Sequence, residues 1–320
     1  MKRLLATLAI PFVITACGSD DEQSAAFPRA LNLGDAYQAS LNMTDIDQGV
    51  SDITITINTT DGSPLPDGEE ISITPLMEMV SGMNHDTPMS IRNGEPNDEG
   101  EFQTTAYFLM PSGPEMGEWF LTVEYAGESE TFNIDVDMST SERQMLVGDT
   151  THDKIKDMND NDISRKYFLF NEGRHVMDSM NAFTVYVAAR ETMMLHTSLT
   201  TGITLTGEMA MDMESMSVNT SDYSSKAMAM PTSDYDLMVN TVTVEMCTSD
   251  CDTAGNWETA SPVDGKLGQY KASNLDLSGN SSDAVNVKLS VNGTAKLQGD
   301  GTAYATFTFD GDASSSAMNH

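Results

Sequence analysis

At 320 residues the chain is long enough for two domains of ordinary size. Its 49 acidic residues against 16 basic ones give a formal net charge of −33, which repels nucleic acid and anionic lipid faces and leaves neither as an expected partner. Hydrophobic residues make up 39%, enough to build cores and to exclude a wholly disordered chain. Methionine, at 24, outnumbers glycine at 23.

Lys2 and Arg3 precede an apolar run over 4–14, too short to span a membrane, which reads as a signal peptide. It ends in Ile14-Thr15-Ala16-Cys17-Gly18, which resembles the bacterial lipobox. The resemblance implies that 1–16 is removed and that Cys17 becomes the lipidated first residue, holding the chain to the membrane. An ordinary signal peptide with an incidental Cys is the plainer alternative. Gly18 rather than Asp after the Cys implies, by the sorting rule of such lipoproteins, the outer membrane with the chain facing the periplasm. Residues 17–35, polar and acidic early on, read as a lipidated tether.

The first strong strand signal is 51–60, where Ile53, Ile55 and Ile57 alternate with Asp and Thr, the pattern of a half-buried strand. Asp61-Gly62-Ser63-Pro64 turns the chain, and 70–76 alternates again. A segment dense in Met and His follows (Met77, Met79, Met83, His85, Met89), interrupted by Gly82 and Pro88. Further strands are expected at 101–110, at 118–125 with Trp119 as a core anchor, and at 131–136. Short strands at this spacing predict an antiparallel sandwich over 36–138.

This succession resembles the YtkA-like/FixH-like domains: alternating strand, D-G-x-P turn, strand, Met/His loop, G-E-F strand, Met-Pro turn and G-E-W-x-L-x-V strand. These are small immunoglobulin-like sandwiches of the bacterial envelope, associated with copper handling. The resemblance covers 36–136 and implies a metal role for Met77, Met79, Met83, His85 and Met89. Glu78 and Asp86 depart from the family's shorter, Pro-rich segment.

Residues 139–165 are charged with little apolar periodicity and read as an acidic linker, within which Asp157 to Asp162 only partly follows a calcium-loop pattern. The remainder, 166–312, reads as a second, diverged sandwich. Gly268 to Asn292 repeats the order seen from Gly100 to Glu124: glycine, polar residue, aromatic residue, strand, turn, alternating strand. Strands at 183–188, 203–213, 241–246 and 302–309 complete it, and 313–320 is a tail. The fold class is therefore all-β, with two immunoglobulin-like antiparallel sandwiches in tandem.

Two clusters combine the thioethers and imidazoles that copper(I), a soft ion, accepts. The first is Met77, Met79, Met83, His85 and Met89, with Met110 and Met116 on the facing turn; alternation places Met77 and Met79 on one strand face. The second is Met209, Met211, Met213, Met228 and Met230, joined by His196. Methionine is equally an adaptable core filler, so both readings stand at this point. Cys247 and Cys251 predict a disulfide in an oxidising compartment, the alternative being a thiolate metal site. No nucleophile, metalloprotease or phosphate-loop motif is present, so the expectation is not an enzyme. The two functional readings are an anchored protein that buffers or delivers copper(I), and a structural or interaction module with an envelope protein partner and no nucleic acid.

Overall fold

The computed structural model describes residues 27–44, 47–66, 68–139, 141–177, 180–208, 233–248, 250–275, 277 and 284–308. No α-helix occurs among them; the chain is all-β, in antiparallel sheets. The stretch read as a signal peptide, Cys17, most of the second methionine cluster and the stretch read as a tail lie outside the described residues.

The first sandwich holds nine strands: β1 (Arg29–Leu33), β2 (Tyr37–Met43), β3 (Val50–Thr59), β4 (Ile71–Met79), β5 (Asn84–His85), β6 (Asn93–Gly94), β7 (Glu101–Tyr107), β8 (Gly117–Tyr125) and β9 (Glu128–Ile134). One sheet runs β1-β2-β3-β7; the other runs β5-β4-β8-β9 with β6 also on β4. Alternation explains the packing. Ile53, Ile55 and Ile57 of β3 and Trp119, Leu121 and Val123 of β8 point inward and are at most 1% exposed, while the Thr residues between the isoleucines face outward. Trp119 Nε1 donates to the Met110 carbonyl at 2.8 Å, which satisfies its one polar atom inside the core. Gly117 opposes Met79 at φ 141°, and a Cβ there would sit 2.1 Å from the Glu78 carbonyl, so this close approach admits no side chain.

The second sandwich is built from β10 (Arg143–Val147), β11 (Lys154–Lys156), β12 (Asp162–Ser164), β13 (Lys166–Met177), β14 (Met180–Arg190), β15 (His196–Ser198), β16 (Ile203–Leu205), β17 (Leu237–Val239), β18 (Val242–Cys247), β19 (Glu258–Thr259), β20 (Ser261–Pro262), β21 (Gln269–Leu275), β22 (Ala284–Val291), β23 (Thr294–Ala295) and β24 (Ala305–Thr308). A sheet β10-β13-β14-β21-β20 faces a sheet centred on β18 and β22, with Phe183, Val185, Val187, Val244, Val287 and Phe307 in the shared core. The two sandwiches have matching topologies. The path β1-β2-β3-β7 recurs as β10-β13-β14-β21, and the neighbours β4-β8-β9 recur as β18-β22-β24. Cys247 and Cys251 are joined as a disulfide, with Cα atoms 5.8 Å apart.

Two expected boundaries differ. The tether read over 17–35 contains β1, an edge strand paired residue by residue with β2 from Arg29↔Leu41 to Leu33↔Tyr37. The linker read over 139–165 contains β10, β11 and β12 and belongs to the second sandwich. Several of its charges are engaged. Asp153 is 2% exposed and binds Arg165, Lys296 and Tyr167, while Asp162 of the β11–β12 hairpin is held by Lys154 and Lys156. In that hairpin the calcium-like stretch forms a turn in which Asp157 Oδ1 accepts from the backbone N–H of Asn159 and of Asn161.

Candidate functional site

Met77 and Met79 do share a face of β4, and that face is the core. The inward series is Ile71, Ile73, Pro75, Met77, Met79. Met77 is fully buried and pairs across the hairpin with His85; Met89 is 2% exposed in the same core. Met79 and Met110 are half-buried and pack against it. Met83, whose carbonyl accepts from Met79 N, is half-buried, and Met116 is 38% exposed. The seven residues of the first cluster are thus divided between core and surface. In the second cluster only His196 is described; Met209, Met211, Met213, Met228 and Met230 lie outside the described residues.

An open groove of about 920 Å³ lies over the end of β4 and the start of β8. Met79, Val80 and Phe120 line it, with Glu78, Glu118 and Asp135 against the single cation Arg29. Val80 is 67% exposed, and Arg29 is oriented by donating to the Asn133 carbonyl at 2.6 Å. Met116 sits in the 113–117 turn at the groove's border, its carbonyl accepting from Val80 N.

His85 and His196 meet elsewhere, at the joint between the sandwiches. The joint is a third apolar cluster of Tyr107, Leu109, Phe168, Phe170, Tyr186 and Ala188. Tyr107 stacks on Tyr186 with ring centroids 3.6 Å apart and planes 9° from parallel. The Tyr107 hydroxyl donates to Glu172, which also receives Gln269 Nε2 at 2.9 Å. Burial raises the Glu172 carboxyl above its ordinary value.

At one margin of this joint, Asp86 N donates to the Met194 carbonyl at 3.2 Å, seating the β5 loop on the β14–β15 turn. His85 and His196 are each 5% exposed, and neither Nδ1 has a hydrogen-bond partner among the described residues. Burial, then Arg190, lowers the His85 imidazole to about 4. Burial, then Arg190 and His85, holds His196 well below its ordinary value. Both rings are therefore neutral at physiological pH. Phe168 packs edge-on to His196 at 5.3 Å and has the guanidinium carbons of Arg143 and Arg190 within 5.5 and 5.7 Å of its ring centroid.

Sequence reasoning found the first methionine segment but missed the joint. Its signal is the loss of alternation in Y-F-L-F (167–170) and in A-F-T-V-Y-V-A-A (182–189), runs apolar but for Thr184 that mark strands covered on both faces. Tyr167 and Leu169 enter the second core; Phe168 and Phe170 face the first sandwich.

No family model matches the chain, and no characterised protein does. Among solved structures, the surface-layer protein SbsC, domains 4–9, is 12% identical over 89% of this chain, with a TM-score of 0.23; this chain spans 32% of that one. Titin domains A168–A170 are 8% identical over 81% of this chain and 94% of that one, with a TM-score of 0.19. Similarity at this level carries no argument about activity.

Proposed function

We propose that the chain is a non-enzymatic, lipid-anchored envelope module that presents two firmly joined immunoglobulin-like sandwiches to a protein partner. The observation that carries this reading is the two-sided burial of β13 and β14, which gives the pair of sandwiches one fixed surface instead of two swinging ones. Cys17 supplies the anchor in the bacterial envelope, at the outer membrane facing the periplasm. The groove over β4 and β8, with three carboxylates and one arginine, suits a basic segment of an envelope protein. Met77 and Met89 serve as core in this reading.

A photo-activated cross-linking residue in place of Phe120 tests it in cells. A discrete protein adduct, lost when Glu78 and Glu118 become Lys, is the expected result, together with release of Cys17→Ser from the membrane fraction. The absence of any adduct would overturn the groove as the docking surface.

A second reading keeps copper(I), favoured by the half-buried or exposed placement of Met79, Met83 and Met116 around the β4–β5 hairpin and the 113–117 turn. Copper(I) titration separates the two. Affinity lost in a Met79/Met83/Met116→Leu variant favours metal handling, and indifference to that variant favours the interaction module.

A further inference from the structure

We propose that the margin of the joint between the two sandwiches is a binding site for a small oxyanion of the phosphate or sulfate class, held by Arg143, Lys166 and Arg190.

The topology gathers these side chains. Lys166, Phe168 and Phe170 occupy the outer face of β13; register places β10 on one side of it and β14 on the other. Arg143 opposes Phe170 on β10, and Arg190 is the last residue of β14, opposite His196 of β15. Arg143 and Arg190 reach the Phe168 ring from opposite ends of that face, and Lys166 lies at the Arg190 end, one residue before the Tyr167↔Ala189 pair. None of them forms an ion pair with a carboxylate among the described residues, in a chain with 49 acidic residues to choose from. The cost is visible on each: burial lowers Arg143, lowers Arg190 to about 10 with Arg143 adding to it, and lowers Lys166 with both arginines adding. Asp86, the carboxylate carried on the β5 loop, is engaged by Arg92 at 2.7 and 2.8 Å.

Charge distinguishes an anion from a metal. Arg143 Nε is a buried donor with no acceptor among the described residues. Arg190 Nε donates to His196 Nε2 at 3.4 Å. A metal ion would meet three positive charges here. An oxyanion would satisfy the donors and neutralise the cations together. All three cations are half-buried rather than sealed, so a small ion can reach them from solvent.

The shared chemistry is a tetrahedral oxyanion, either free or borne on a phospholipid headgroup. The test uses the full chain with Cys17→Ser. Inorganic phosphate is titrated while thermal melting and the imidazole ¹⁵N resonances of His85 and His196 are followed. Vesicles of phosphatidylglycerol in phosphatidylcholine form the second arm. The expected result is a phosphate-dependent rise in melting temperature, with both histidine signals shifting, weakened at least tenfold in Arg190→Gln and in Lys166→Gln and unchanged in Lys288→Gln. Without phosphate, Lys166→Gln melts no lower than the parent, because it relieves like-charge crowding. Binding seen only with vesicles, and lost in the same variants, assigns the oxyanion to a headgroup. Saturation by neither probe, binding indifferent to Arg190→Gln and Lys166→Gln, or displacement of the histidine signals by copper(I) alone would overturn the proposal.

Discussion

Replacing Asp153 by Ala should unfold the second sandwich far more readily than any surface charge change. Asp153 is 2% exposed and serves two buried cations, Arg165 and Lys296, that are 0% and 1% exposed. It accepts from Arg165 Nε at 3.1 Å, from Lys296 Nζ at 2.6 Å and from the Tyr167 hydroxyl at 2.7 Å. Arg165 would keep its bonds to the carbonyls of Arg190, Glu191, Thr206 and Tyr235, so what it loses is its counter-charge. Lys296 would keep the face of the Tyr167 ring, 5.2 Å away, and the more distant charge of Asp149. Removing one partner of a buried ion pair costs about 3–5 kcal/mol. That is a large share of a total stability of about 5–15 kcal/mol. It corresponds to a fall in melting temperature of roughly 6–20 °C for a domain of this size. Urea unfolding followed by circular dichroism measures it directly. Asp153→Asn should lose nearly as much, since it keeps shape but not charge. A joint Asp153/Lys296→Met change should recover part of the loss by removing one orphaned cation. A cost for Asp153→Ala below about 1 kcal/mol, the range of exposed pairs, would refute the argument and return 139–165 to the status of a solvated linker.

Met77→Leu conserves volume at a fully buried site and should cost less than about 1.5 kcal/mol, against about 2–5 kcal/mol for Met77→Ala, with copper(I) affinity unchanged by either; a selective loss of copper(I) binding would make Met77 a ligand. Tyr107→Ala removes the stack on Tyr186 and the bond to Glu172, so calorimetry should resolve two transitions where the parent shows one; a single unchanged transition would place the coupling elsewhere. Lowering the pH should destabilise the fold between about 6.5 and 4 through His85, because the unfolded ring takes up a proton near 6.5 and the folded ring not until about 4. Stability from this source is complete above that window and lost through it, and His85→Gln should flatten the slope measured by denaturant unfolding at several pH values.

The sandwich class was legible because alternation is local. The isoleucines of β3 and the 119–123 series of β8 announce one wet and one dry face without reference to the rest of the chain. The same rule placed Met77 and Met79 on one face, but periodicity does not say which face is inside; the partner sheet decides that. Charge was the least transparent signal. Asp153 and Arg165 look like linker residues because composition counts charges and cannot see pairing. Their buried state depends on Lys296, 143 residues further along. The nearness of His85 to His196 was hidden for a similar reason: the two lie 111 residues apart, and the β5 loop docks on the Met194 carbonyl beside His196.

The duplicated topology sharpens where function has diverged. β3 and β14 occupy equivalent places in their sheets, as do β2 and β13. Their inward residues are of one kind: Ile53, Ile55 and Ile57 in β3, Phe183, Val185 and Val187 in β14. The outward residues are not. β3 shows Thr54 and Thr56, whereas β14 shows Tyr186, Ala188 and Arg190, and β13 adds Lys166, Phe168 and Phe170. A fold kept by its inward face is free to change its outward one at little cost in core stability, since the two faces of a strand bury into different surroundings. The outward face of the second sandwich has become apolar at its centre, where it seats Tyr107, and cationic at its margin, where acidic partners are absent from the described surroundings. Packing alone would have favoured an apolar or paired margin, since unpaired, half-buried cations are costly. In the oxyanion reading that cost is offset by what the joint binds, and the fold itself does not require these cations.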